Sequence, residues 1–241
     1  MIGSKGSCDS VTGSRRPPVN IVDAAERPTY TPSEAARYAG FSPQSVARWR
    51  AGYTYPTLRG PRRSDPLTGG QAHGLLTFNE LLEVAVVAAV RRADVPMKSI
   101  RRAIGVAQEL YNVDRPLVTM RFMHDGKDIF AGELEKAGGS RYVNLSRHGQ
   151  IAWEHIRDVL RDLDYEDDVA VRWWPAGHDT PIIIDPRISF GRPYVARKGI
   201  STDAIRGRFL ARESINEIVD DFDLTEQEVE AALRFELPAA A

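Results

Sequence analysis

One cysteine stands in 241 residues. Cys8 has no partner for an internal disulfide and no companion thiolates for a zinc site, so a reducing cytoplasm is the expected compartment. No apolar run approaches the ~20 residues that a membrane span requires. The opening MIGSKGSCDSVTGSRRPPVN also lacks the apolar core of a secretory signal. It is polar and Pro-containing, and residues 1–28 read as a mobile tail.

Catalytic signatures are missing as well. There is no glycine-rich phosphate loop, nucleophile elbow or Ser/His/Asp set. His124, His148, His155 and His178 show no ligand spacing, and His155 reads as a core-edge residue. Asp164, Glu166, Asp167 and Asp168 stand in one short run. A magnesium site needs carboxylates converging from separate elements, so the run reads as solvated linker. No catalytic residue, metal or cofactor is expected, and an enzyme is the least favoured class.

A formal net charge of −1 conceals a strong division. Residues 1–75 hold ten Lys and Arg against five Asp and Glu, and residues 186–212 hold seven against one. Residues 153–185 hold three against nine, and residues 213–241 one against nine. Local fields decide what each segment binds, and the total does not.

Four capping boxes mark helix starts: Thr31–Glu34, Thr77–Glu80, Ser214–Glu217 and Thr225–Glu228. The first opens a helix over 32–38 that Gly40 ends, and Ser42-Pro43 starts the next. Residues 51–75 are rich in Gly and Pro and read as a long loop or wing. The helix at 78–92 is apolar almost all round and should be buried. A second, at 96–111, carries Met97, Ile100, Ile104, Ala107 and Tyr111 on one face. The period then becomes two, predicting a hairpin at 117–131 around Asp125-Gly126, with a possible strand at 141–145. An amphipathic helix follows at 148–164. A linker at 166–180 leads to a strand at 182–184 and three short helices near 202–211, 215–222 and 226–235. The fold class is therefore α+β and mainly helical. It comprises a winged helix-turn-helix (29–112), a central β-hairpin plus helix for possible dimerisation (113–165), and a small-β plus three-helix domain (181–237).

Small residues at Ala35, Ala36 and Ala39 suit a helix crossing, and Phe41, Val46 and Trp49 supply an apolar turn contact. That leaves Gln44, Ser45, Arg48 and Arg50 to face outward near the helix start, where recognition residues meet base edges. YTPSEAARYAGFSPQSVARW, a basic wing, and FNELLEVAVVAAVRRADVPMKSIRRAI together resemble the DNA-binding domain of MerR-type regulators. The resemblance implies that Ser42, Gln44, Ser45 and Arg48 face the groove, with Arg50, Tyr53, Arg59, Arg62 and Arg63 near phosphates. The wing is longer than usual in that family, no long coiled-coil helix follows, and the cysteines of metal-sensing members are absent. The bland alternative is a trihelical packing unit with incidental arginines.

The C-terminal segment carries Asp185-Pro186, Gly191-Arg192-Pro193, Ser214-Ile215-Asn216-Glu217-Ile218, Phe222, Leu224-Thr225 and Ala231-Ala232-Leu233. It resembles a small domain found in VapB-type antitoxins, with Arg197-Lys198-Gly199 in place of the usual Gly-Thr-Arg turn. That resemblance implies a DNA-binding antitoxin that autorepresses its operon and neutralises a VapC-type PIN-domain ribonuclease. The implied partners are double-stranded operator DNA and the toxin; a homodimer is expected on symmetry grounds, with the helix at 148–164 or the hairpin at 117–131 as its interface. Arg187, Arg192, Arg197, Lys198, Arg206 and Arg208, with Arg212, are candidates for a second phosphate contact. The acidic last helix, TEQEVEAALRFE, suits a protein partner or solvent better than a groove. Trp173 and Trp174 are either domain-packing residues or an anchor for the toxin. Two rivals stand beside this reading: a stand-alone MerR-like regulator and a non-DNA protein-interaction module.

Overall fold

A computed structural model describes residues 21–68, 73–119, 122 and 153–237. The chain is α+β and mainly helical, as its patterning predicts. All four capping boxes form, with each Ser or Thr accepting the N3 amide and each Glu returning to the cap amide.

The N-terminal half is built on α4 (Phe78–Arg92), whose residues from Phe78 to Val90 are buried except Asn79. Around it lie α1 (Ile21–Ala25), α2 (Pro32–Tyr38), α3 (Pro43–Ala51) and α5 (Met97–Tyr111). The two-stranded wing β1 (Tyr53–Tyr55) and β2 (Arg62–Ser64) follows α3 directly. Helix α1 corrects one boundary: residues 21–28 do not belong to a tail. Ala24 and Ala25 are buried, and Glu26 accepts a hydrogen bond from Asn79 at 2.6 Å. On α5, Ile100, Ile104, Ala107 and Tyr111 face inward as their spacing requires, and Met97 packs at the edge.

The described part of the central segment packs into the N-terminal core. Residues 153–161 form a helix, α6, and its Trp153, Ile156 and Leu160 join the N-terminal core. An apolar face already satisfied within the subunit is a poor dimer seam, which removes one of the two candidate interfaces. The other, the expected hairpin at 117–131, lies largely outside the described residues, as do the expected strand at 141–145 and the start of the helix at 148. Pro116–Val118 forms a 3-10 turn rather than strand, and Thr119 makes a single bridge to Val169.

The helix expected to run to 164 ends at 161, and residues 163–173, which take in the first half of the linker expected at 166–180, form a hairpin. Strand β3 (Leu163–Glu166) pairs with β4 (Val169–Trp173), and Asp167 and Asp168 turn the chain with φ of 49° and 66°. Asp tolerates that left-handed conformation, so the acid run that reads as a solvated tether is a tight turn and its outer face. Trp173 continues the pairing through reciprocal bonds with Ile184 of 2.9 and 2.8 Å. The C-terminal domain then forms β5 (Ile182–Ile183), β6 (Tyr194–Val195), α7 (Thr202–Leu210), α8 (Ile215–Phe222) and α9 (Glu226–Glu236) around a second core. No described helix is long and apolar enough to cross a membrane.

Candidate nucleic-acid interface

Helix α3 is short, and its sequence divides cleanly by face. Ser42 caps it, accepting from the Ser45 amide and donating to Ser45 Oγ at 2.9 Å. Val46 and Trp49 are buried, with Trp49 tilted against Phe41 at 4.9 Å. Ser42, Gln44 and Arg48 are exposed and Ser45 is half-buried. These four side chains therefore occupy the first two turns, beside amides that favour an anion.

Gly52 joins this helix to the wing. Its φ is 69°, and a Cβ there would stand 2.2 Å from the Ser64 carbonyl oxygen. Only glycine lets β2 return so close. The pairing sets Thr54 against Arg63 and Tyr55 against Arg62. Arg48 lies over the Tyr53 ring at 5.9 Å, and Tyr53 lies 5.8 Å from Tyr55. Helix and wing thus present one continuous surface. Arg59, Arg62 and Arg63 are exposed. None of them, nor Arg48, forms an ion pair among the described residues.

Arg50 is elsewhere. It is 1% exposed, pairs with Glu80 at 3.2 Å, and donates to the Gly74 and Leu75 carbonyls. A buried guanidinium cannot meet a phosphate, so Arg50 is a strut between α3 and α4. Arg101, which sequence patterning does not single out, braces the wing's return by donating to the Asp65 carbonyl at 2.8 Å. Periodicity identifies the inner face of α5 and says nothing of its outer one.

The second basic segment is neutralised from within. Arg187 is held by Asp185 at 2.9 Å and Glu166 at 3.2 Å. Arg197 pairs with Glu228 at 2.8 Å and Lys198 with Asp223. Arg206 pairs with Asp203 at 2.6 Å, and Arg208 with Glu213 and Asp221. Arg192 is the loosest, 3.6 Å from Asp203; Arg212 is exposed with a φ of 69°. Six of these seven cations face carboxylates, Arg197, Lys198 and Arg208 those in the acidic tail of their own domain, so they do not present a free phosphate-binding arm. The Arg197 bonds hold the Glu228 carboxyl down at about 2, below its ordinary 4.5. A depressed carboxylate stabilises the fold above its unfolded value and stops doing so as pH falls through the folded one. The chain should therefore lose stability between about pH 4.5 and about pH 2. Urea midpoints at neutral pH and about pH 3 should differ, and Glu228→Gln should lower the first and narrow the difference. An unchanged pH profile in that variant would assign the acid sensitivity elsewhere.

The tryptophans separate. Trp173 is 4% exposed and belongs to the core, so it is unavailable to a partner. Trp174 is half-buried, stacks on His178 at 4.8 Å and donates to Asp164 at 3.2 Å. Asp164 also accepts from Arg172 at 3.2 Å. The described residues contain no group of three His, Cys, Asp or Glu side chains placed to hold a metal.

The N- and C-terminal domains touch. Tyr38 of α2 stacks on Phe235 of α9 at 5.5 Å and 18°, while Arg37 pairs with Glu236 at 2.5 Å. The buried Tyr30 hydroxyl donates to the Gly191 carbonyl at 2.8 Å. Gly191 has a φ of 75°, and a Cβ there would lie 2.7 Å from that hydroxyl, which explains the glycine of the Gly-x-Pro motif. The C-terminal domain therefore clamps the helix that precedes α3. Beside Gly191, Phe190 is 80% exposed at a φ of 56°; no sequence pattern marks such a residue.

Residues 28–104 match a family described as "Putative DNA-binding HTH domain". Residues 182–235 match "Protein of unknown function (DUF433)". A relative from Mycobacterium tuberculosis named "Putative antitoxin VapB45" is 27% identical over 225 residues, 86% of this chain and 92% of that one. The crystal structure of Rv2018 from Mycobacterium tuberculosis shares the fold with a TM-score of 0.65 at 22% identity, over 86% of this chain and 98% of the other. The likeness to VapB-type antitoxins seen in the sequence is thus borne out by a relative aligned along most of the chain.

Proposed function

We propose that this chain is a DNA-binding antitoxin that represses its own operon and neutralises a VapC-type PIN-domain ribonuclease. The observation that carries the DNA half is the contrast between two sets of arginines. Arg48, Arg59, Arg62 and Arg63 lack carboxylate partners among the described residues, whereas the C-terminal arginines are largely paired. Guanidiniums left without a counter-charge beside the polar start of α3 suit phosphates and base edges. Gln44, Ser45 and Arg48 would read the major groove, with Ser42 and the wing on the backbone. A homodimer would place two such surfaces on half-sites about one helical turn apart, or a multiple of it.

The antitoxin half is supported by the relative's name and its alignment along both domains. Trp174 and the acidic outer faces of α8 and α9 are the toxin-facing surface in this reading. The clamp between α9 and α2 offers a route from toxin to operator. The test is inhibition: the product of the adjacent reading frame should cleave RNA, and a molar equivalent of this chain should stop it. A neighbour that neither binds the chain nor is inhibited by it defeats the antitoxin claim.

One observation favours a second reading, an effector-controlled regulator. A cleft of about 620 Å³ lies where the two domains meet, lined by Arg37, Arg92, His155, Trp173, Arg234 and Phe235 among others. A regulator of that kind would bind its promoter and ignore the neighbouring gene product.

A further inference from the structure

We infer that the wing tip is an apolar wedge: Leu58 enters the minor groove of the bound duplex and unstacks a base step, kinking the DNA. This rests on the DNA-binding reading above and adds to it a deformation of the operator.

Single exposed leucines are ordinary on protein surfaces and need no explanation. Leu58 is set apart by its mounting. It is 109% exposed, with its whole side chain in solvent. The turn that carries it is closed in both directions, by Thr57 N to Gly60 O at 3.2 Å and Gly60 N to Thr57 O at 3.0 Å. The Thr57 hydroxyl donates to the Gly60 carbonyl at 2.6 Å and accepts from the Arg59 amide at 3.3 Å. Gly60 takes a φ of 104°, a conformation open to glycine, and Pro56 and Pro61 stiffen both approaches. A mobile loop would fold its leucine back; this turn holds it forward.

The chemistry around the tip selects the partner. Residues 53–64, YTYPTLRGPRRS, contain three arginines and no carboxylate, which suits a polyanion. Proteins that kink DNA place an apolar side chain between base steps, with cations in or beside the minor groove, where the negative potential attracts arginine. Leu58 and Arg59 are such a pair at adjacent positions. Reach is adequate too. From Tyr53 to Leu58 a fully extended chain spans up to about 17 Å at ~3.3 Å per residue, and β1 supplies the extended first part of it. That limit exceeds the ~12 Å width of the major groove in which α3 would lie, which leaves the tip room to cross the phosphate ridge.

The experiment uses the full chain and the promoter fragment upstream of its own reading frame. Two readouts are needed: permanganate oxidation, which reports unstacked thymines, and a circular-permutation gel, which reports bending. Wild type should bind, bend the fragment and create hyperreactive thymines. Leu58→Ala should weaken binding about tenfold and lose both the bend and the reactivity, while Leu58→Met retains them. Arg59→Ala should reduce the salt slope by about one and keep the bend. Wild type that binds without bending or unstacking overturns the wedge and leaves DNA binding intact. So does Leu58→Ala with undiminished bend and reactivity, including the case in which it loses only the neighbouring protein. If wild type shows no salt-sensitive binding, the DNA reading fails and the wedge fails with it.

Discussion

Arg50→Ala loses about 3–5 kcal/mol of stability, the cost of leaving one member of a buried ion pair without the other. Arg50 is 1% exposed. Its removal strips the donors from two carbonyls at the wing's return and one of the cations from the Glu80 carboxylate. Glu80 is already committed to the Thr77 cap, 3.0 Å from its amide, and to Arg115 at 3.7 Å. It cannot turn to solvent without uncapping α4, the helix on which the N-terminal half is built. Arg50→Lys should recover only part of the loss, because one ammonium cannot span three acceptors. Urea unfolding followed by circular dichroism measures this directly. A variant with the wild-type midpoint and weakened DNA binding would return Arg50 to the phosphate-contacting role that its sequence position indicates.

Arg48→Ala should show the opposite pattern. The side chain is exposed, lies over the Tyr53 ring at 5.9 Å and forms no ion pair among the described residues, so the unfolding midpoint should stay where it is. Removing a bidentate guanidinium–guanine pairing should weaken binding to the promoter by about 10- to 100-fold and relax discrimination at that base pair. Arg63→Ala is the useful companion. Loss of a phosphate partner weakens all sequences alike and lowers the salt slope by about one, without altering preference. Equal affinity for promoter and unrelated DNA in the wild type, or undiminished binding by Arg48→Ala, would remove Arg48 from the base-reading set.

Much of this is legible in the sequence, and what is not has physical reasons. Capping boxes announce the helices because Ser/Thr and Glu at that spacing satisfy two otherwise unpaired amides, wherever the helix lies. Charge alone misplaces Arg50. Its spacing from Val46 and Trp49, four and one residues back, puts it on their inner face, and the outward face belongs to Gln44, Ser45 and Arg48. The basic segment at 186–212 misleads for a different reason. Composition records seven cations but not that Arg197 meets Glu228 thirty-one positions later; such pairing is a property of the fold. Trp173 and Trp174 differ because adjacent residues at a strand's end point to opposite sides, one to the core and one to Asp164. The junction between the two domains has no sequence signal, since Tyr38 and Phe235 lie at opposite ends of the chain.

One chain holding its operator and its toxin together is the central claim. The direct measurement is the gel mobility of its own promoter fragment, titrated first with this chain and then with the adjacent gene's product. A salt-sensitive shift by the chain, followed by a slower band containing both proteins, is the predicted result. A fragment that never shifts, or a shifted complex that the second protein neither joins nor alters, would contradict it.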